Sequence, residues 1–192
     1  MKRIMIAVVA IAALATSCKK DQLKNVFKGP AVQVHNGKAW TWVQLKNDGT
    51  PERLAITIND AAMNSVPVAN PGEGGEHNME ESFVLTLHPK AGVTPFKHIW
   101  LNWNPAGHEP PGIYDIPHFD LHYYMISNEE REAIDDAKIG ILPDASYFPA
   151  TYIAPPGLGV PKMGYHWVDA TSAELNGQTF TQTFIMGSYD SK

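Results

Sequence analysis

The segment Pro117-His-Phe-Asp-Leu-His-Tyr-Tyr-Met125 carries two imidazoles and a carboxylate at alternate positions. Side chains of an extended chain alternate with period two, so His118, Asp120 and His122 share one face. Phe119, Leu121, Tyr123 and Met125 take the other. Neutral imidazoles and carboxylates are what zinc, copper, iron or nickel take from a protein. Residues i and i+4 on a strand stand about 13 Å apart, so His118 and His122 can share one ion only across a bulge or a strong twist. Pairing Asp120 with one neighbour and recruiting ligands from elsewhere is easier. His108, in a proline-stiffened loop, and His166, in Gly164-Tyr-His-Trp-Val168, are the outside candidates, with His98 a third. His35, His77 and His88 read as turn or surface residues.

The expected pocket is therefore lined by His108, His118, Asp120, His122 and His166, and its occupant is a divalent metal or a small polar ligand. An enzyme built this way would use metal-activated water or oxygen chemistry, with Asp120 or Glu109 as proton acceptor. The same residues fit a second use, as a hydrogen-bonded network that stabilises a structural or self-assembling protein, and spacing alone leaves both readings open. Trp100, Trp103, Trp167 and Tyr114 suit core and pocket wall. No Gly-x-Ser-x-Gly elbow, Walker loop or dinucleotide fingerprint is present. Glu129, Glu130, Glu132, Asp135 and Asp136 form an acidic surface of the kind that is ordinarily solvated.

The elements that must position these groups read as many short strands. Ala31 to His35 and Ala39 to Lys46 flank Asn36-Gly37, a strong hairpin signal, and Arg53 to Asn59 alternates as a third strand. Asp60 to His77 reads as a helical turn followed by a glycine-rich loop. Ser82 to His88, Lys97 to Trp103, a strand starting near Pro117, Met163 to Thr171 and Gln178 to Tyr189 follow. Ser127 and Glu130 make a capping box, so a single helix is expected over 128–138, closed by Gly140. Five prolines make 143–161 an irregular connection. The fold class expected is mainly β, a β-rich α+β arrangement as an antiparallel sandwich or barrel with one short helix.

With 192 residues, one domain suffices, and 44% hydrophobic content supplies a core. The formal charge of −5 comes without a basic cluster in the body of the chain, which removes nucleic acid as a partner.

Lys2 and Arg3 precede the apolar run Ile4 to Ala15, too short to span a bilayer comfortably and suited to a signal peptide over 1–17. Leu14-Ala-Thr-Ser-Cys18 resembles a bacterial lipobox, with Ala15 where the pattern prefers leucine. The resemblance implies lipidation of Cys18, membrane contact through that lipid, and residence in the cell envelope. The one cysteine of the chain is then acylated, and no disulfide can form. Residues 18–30 are expected to be the lipidated N-terminus and tether, and 31–192 a single domain.

Asn104-Pro-Ala-Gly-His-Glu-Pro-Pro-Gly112, Pro117-His-Phe-Asp-Leu-His122, Gly159-Val-Pro-Lys-Met-Gly-Tyr-His-Trp167 and Thr183-Phe-Ile-Met-Gly-Ser-Tyr-Asp190 carry a further likeness. Over about 98–190 the chain resembles a bacterial exported family of unknown function, related to a thermophile protein under extracytoplasmic sigma-factor control. That family supplies no activity to transfer. The resemblance implies another strand after Asp190, and hence an unpaired edge on the Gln178 strand and a domain truncated at its C-terminus. A homo-oligomer is the remaining expected partner.

Overall fold

Asn59 shows how closely the first elements are fitted: its side-chain oxygen accepts from both Lys38 N and Ala62 N, tying a hairpin to a helical turn. In the computed structural model, residues 24–69 and 79–192 are described. Cys18, the signal segment, the first part of the tether (residues 18–23) and His77 lie outside them. Strands β1 (Val26–Val34), β2 (Gly37–Leu45) and β3 (Pro51–Ile58) form an antiparallel sheet in chain order.

Strand β1 begins at Val26, five residues before the expected start, because Val26 and Phe27 pair with Gln44 and Val43 and Phe27 packs beside Val43 and Leu54. Gly29-Pro30, expected to end the tether, sits inside the strand where the register shifts between Lys28 and Ala31. An outer strand absorbs proline at such an irregularity. The hairpin turn also lies one residue earlier than expected. Val34 pairs with Gly37, so His35 and Asn36 are the loop residues. Gly37 answers a different need, since a Cβ there would come within 2.1 Å of Ala62 N and 2.2 Å of Asn59 Oδ1. The helical turn it makes room for is α1 (Asp60–Met63).

Strands β4 (Ser82–Thr86), β5 (His98–Asn104) and β6 (His118–Tyr124) form a second antiparallel sheet. Ile99, Leu101 and Leu85 on one face meet Val34 and Ala39 of the first sheet and Ala62 of α1, with Phe119 and Tyr123 packed alongside. The five aliphatic side chains are 0% exposed, as is Ala62, so this is the sandwich core and its apolar burial is the main stabilising term. A hydrogen bond from Thr41 Oγ1 to Thr86 O, 2.7 Å long, crosses between the sheets.

The third sheet consists of β9 (Gly164–Asp169) with β10 (Ile185–Ser188) on one side and the short β7 (Tyr152–Ile153) and β8 (Gly159–Val160) on the other. It lies against the polar face of the second sheet, where His122 meets His166 and Tyr124 Oη donates to Met163 O. The architecture is mainly β, built from antiparallel sheets, and no barrel closes among the described residues.

Two expected elements are shorter than their patterns. The single helix over 128–138 is two, α2 (Asn128–Glu132) and α3 (Asp136–Ile139). The capping box at Ser127 and Glu130 is present, but Asp135 is extended and its side chain caps the amide of Lys138, which restarts the helix. The Gln178 strand forms only from Ile185, opposite Val168. Immediately beyond, Asp169 turns its carboxylate onto Thr171 N and Oγ1, so β9 ends and offers earlier residues no partner. Strand β10 is an outer strand, and the turn after it docks through Asp190 N to Lys138 O and Ser191 N to Ile141 O.

Candidate metal centre

The polar face of the second sheet is a ladder. In register, Asn104 opposes His118, Asn102 opposes Asp120, Trp100 opposes His122 and His98 opposes Tyr124. Strand β6 runs without a bulge, so His118 and His122 stay apart and the i to i+4 obstacle foreseen from strand geometry holds. Asp120 lies between them.

His108 arrives from the loop joining β5 to β6. Gly107 N donates to Asn104 O and His108 N to Tyr114 O, which folds the loop back over the end of its own hairpin. Gly107 has φ +72°, and a Cβ on it would lie 2.0 Å from Tyr114 O, so glycine is required for the return. The result is a triad: one ligand atom each from His108, His118 and Asp120 lies within 4.8 Å of the others. His108 Nε2 is 3.3 Å from Asp120 Oδ2, and His118 Nε2 is 3.5 Å from Asp120 Oδ1. Zinc with bonds near 2.0 to 2.1 Å in a tetrahedron separates its ligand atoms by about 3.4 Å, and each histidine stands at about that spacing from one carboxylate oxygen, His108 from Oδ2 and His118 from Oδ1.

Orientation is set by backbone carbonyls. His108 Nδ1 contacts Glu109 O at 2.6 Å, His118 Nδ1 contacts Ile116 O at 2.6 Å and His166 Nδ1 contacts Leu158 O at 2.9 Å. A carbonyl only accepts, so each Nδ1 carries the proton, and in the neutral ring Nε2 keeps its lone pair. This is how metal-ligating histidines are ordinarily held. Asn104 Nδ2 donates to Asp120 Oδ2 at 2.8 Å and fixes the carboxylate in the same way.

The electrostatics favour a cation. Burial pushes the Asp120 carboxyl up, but the His108 bond and the neighbouring His122, His108 and His118 rings outweigh it and hold the group well below the usual carboxylate range. Burial pulls His108 down, and the bond to Asp120 with its charge more than reverses this, leaving His108 raised. His122 is pulled down to about 4 by burial, against the opposing charge of Asp120. His166 is lowered by burial too, with the Leu158 carbonyl and Asp120 opposing. An anionic carboxylate thus faces imidazoles of which two remain neutral near pH 7.

His122 and His166 are neighbours of the triad rather than members. Their ring centroids are 6.4 Å apart, they face each other between the second and third sheets, and both feel the charges of Asp120 and His108. His98 is remote in role: it stacks on Tyr124 at 5.0 Å, near Arg131. His35 sits in the hairpin turn 2.7 Å from Glu81 and His88 caps a turn through Lys90 N, as their contexts suggested. Trp100, Trp167 and Tyr114 are buried.

Two contributors were not picked out from the sequence. Asn104 could have been, because Trp100, Asn102 and Asn104 alternate on one strand face as the histidines do. Phe180 carries no such signal. It stands outside a strand, with its ring edge-on to His118 at 5.2 Å and to Tyr114 at 4.9 Å. Tyr114 packs on His108 at 5.5 Å, and its hydroxyl is pushed up to about 12 by burial and by Glu174, so it stays protonated. Comparison with protein-family models, curated proteins and solved structures finds no match to the chain.

Proposed function

We propose that this chain is the body of a cell-envelope lipoprotein that binds a divalent metal at His108, His118 and Asp120, with His122 and His166 flanking the ion. The observation that carries the reading is the convergence of those three side chains within 4.8 Å, with both imidazole Nδ1 groups tied to carbonyls. Two nitrogens and one oxygen suit zinc, iron, copper or nickel. Three protein ligands are the set of an open, exchangeable site rather than a closed structural one. That openness favours a ligand-binding or hydrolytic or oxygen-handling role, with Asp120 or Glu109, next in sequence to His108, as the proton acceptor.

Elemental analysis of purified protein tests this, together with His108→Ala and His118→Ala. One equivalent of metal in the wild type, lost in both variants, is the expected result. No metal in the wild type, with melting curves unchanged on adding zinc or iron, overturns it. The second reading is then the better one: a structural or self-associating envelope protein in which the cluster serves as a polar network. Its support is the Asn104 to Asp120 bond, together with Tyr147 at 82% and Phe184 at 68% exposure as surface for a second copy.

The envelope location rests on Lys2, Arg3, the apolar run and Cys18. Among the described residues no helix is long and apolar enough to cross a membrane. Cys18→Ser is expected to move the protein from the membrane fraction to the soluble one, and retention in membranes rules out the lipid anchor.

A further inference from the structure

Against the triad lies a groove of about 310 Å³, bounded on one side by Ile113, Asp115 and Ile116 and on the other by Gln178, Thr179 and Phe180. This is at the small end of ligand pockets. Both walls touch the site. Ile116 supplies the carbonyl that orients His118, and Phe180 rests its ring against His118 and Tyr114. One phenyl ring therefore belongs at once to the groove wall and to the cover of the triad.

That ring sits on a strap with few backbone hydrogen bonds, fastened three residues on by the Thr183 side chain, which bonds Tyr114 and Glu174. From Thr179 to Phe184, among the described residues, no backbone amide donates to another backbone carbonyl outside regular elements, and the strap follows Gly177 at φ +79°. Segments with few backbone hydrogen bonds open at low free-energy cost. The strap is anchored at both sides. Gln178 N donates to Ala173 O before it, and Tyr152 Oη donates to Phe184 O after it.

The lining also limits what can enter. Asp115 is the one charged residue among the groove residues, and it accepts from Gly112 N. Among the described residues no basic side chain lines the groove, so carboxylates and phosphates meet no counter-charge from them, while amide and hydroxyl groups of Gln178 and Thr179 can bond a neutral polar molecule.

We propose that this groove is the ligand cleft of the metal centre, that it takes a small uncharged or cationic molecule, and that Phe180 is the gate that must swing aside for that molecule to reach His118 and Asp120. The proposal rests on the metal reading of the triad. It makes Phe180 a positioning residue that governs access and leaves the number of bound ions alone.

The test uses the full chain loaded with cobalt(II), whose visible absorption reports its ligands, and imidazole as the probe. Stopped-flow mixing is expected to show imidazole entering at least tenfold faster in Phe180→Ala than in wild type, and at an intermediate rate in Phe180→Leu. Ile113→Trp, which fills the groove from the opposite wall, is expected to slow entry. Should Phe180→Ala fail to fold, the Leu and Trp variants decide. Cobalt bound at one equivalent with equal entry rates in all the variants overturns the gate and leaves the metal site standing. Absence of bound cobalt in the wild type overturns both.

Discussion

His108 Nε2 lies 3.3 Å from Asp120 Oδ2, joining a side chain from an irregular loop to one from the middle of a regular strand. The contact is charge-assisted when the ring is protonated, and when it is not the two atoms are free to serve as the proposed ligand pair. Asp120→Asn keeps the shape and removes the charge. Competition titration with a chromophoric chelator is expected to show metal affinity falling at least 100-fold. His108 followed by NMR without metal should titrate lower than in the wild type, because its upward shift comes from Asp120. The sign is that of a raised base: stability from this pair is present below the ordinary histidine value and is lost as pH rises through the folded value. An unaltered His108 titration in the variant refutes the pairing.

The boundary between ligands and flanking residues can be drawn by stoichiometry. His118→Ala removes a member of the triad and is expected to abolish binding of one equivalent. His122→Ala and His166→Ala should retain the equivalent with affinity lowered about 10-fold, the scale of groups that act through ligands rather than as ligands. If His166→Ala empties the site while His118→Ala does not, the ion belongs between β6 and β9 instead, and the triad is a hydrogen-bonded network.

Much of this site could be read from alternation alone. Period two on Pro117 to Met125 separated His118, Asp120 and His122 from Phe119 and Tyr123, and the structure sends those two sets to opposite faces of one sheet. Which histidines converge was not legible, because His108 reaches Asp120 only through the fold of a loop, a matter of long-range backbone bonds such as His108 N to Tyr114 O. Local chemistry misled where two signals competed. Asn36-Gly37 suits a turn, yet Gly37 is there because α1 presses on it. Asp135 lies inside a helical pattern, and its side chain breaks that pattern by capping the next turn. Gly29-Pro30 reads as a linker end, and an outer strand tolerates it.

Acid should weaken the metal-free fold. His98 is lowered by burial and then by Arg131, with a hydrogen bond to the Ile126 backbone opposing. A histidine depressed in the folded state binds protons more readily when unfolded, so stability falls as pH drops below about 6.5. His166 has the same sign, and His122, held at about 4, contributes on the order of 3 kcal/mol across its window. Urea unfolding at pH 7.5 and pH 5 is expected to show a smaller loss in His98→Phe than in wild type, since phenylalanine keeps the stack on Tyr124 without the proton-binding nitrogens. Equal losses in the two proteins would exclude His98 as a source.

Arg131 is the largest fully buried side chain among the described residues, 1% exposed, and ought to be among the costliest to truncate. Its guanidinium lies 4.0 Å from the Trp100 ring centroid, donates to Asn128 Oδ1 through Nε and Nη2 and to Lys162 O through Nη1, and pairs with Glu132. Arg131→Ala empties a buried volume and strands those acceptors, so a loss of roughly 3 kcal/mol or more is expected in urea unfolding. Glu132→Gln, at an exposed partner, should cost well under 1 kcal/mol. Similar losses from both would mean that the ion pair, rather than the stack on Trp100, holds this corner.

Gly107 offers a way to disable the candidate metal site without touching a proposed ligand. Its φ of +72° and the 2.0 Å approach that a Cβ would make to Tyr114 O mean that Gly107→Ala must move the Tyr114 backbone or its own, and His108 N hangs on that same carbonyl. The shift carries the imidazole away from Asp120, where a displacement of even 1 Å breaks a 3.3 Å contact. The expected outcome is a protein destabilised by about 1 to 3 kcal/mol whose metal affinity falls at least 10-fold, with His118 and Asp120 intact. Ala106→Gly, next in the chain, controls for loop flexibility and should leave affinity within a factor of about 2 to 3 of wild type. If Gly107→Ala binds metal as tightly as the wild type, the loop does not set the position of His108, and the convergence of the triad needs a different cause.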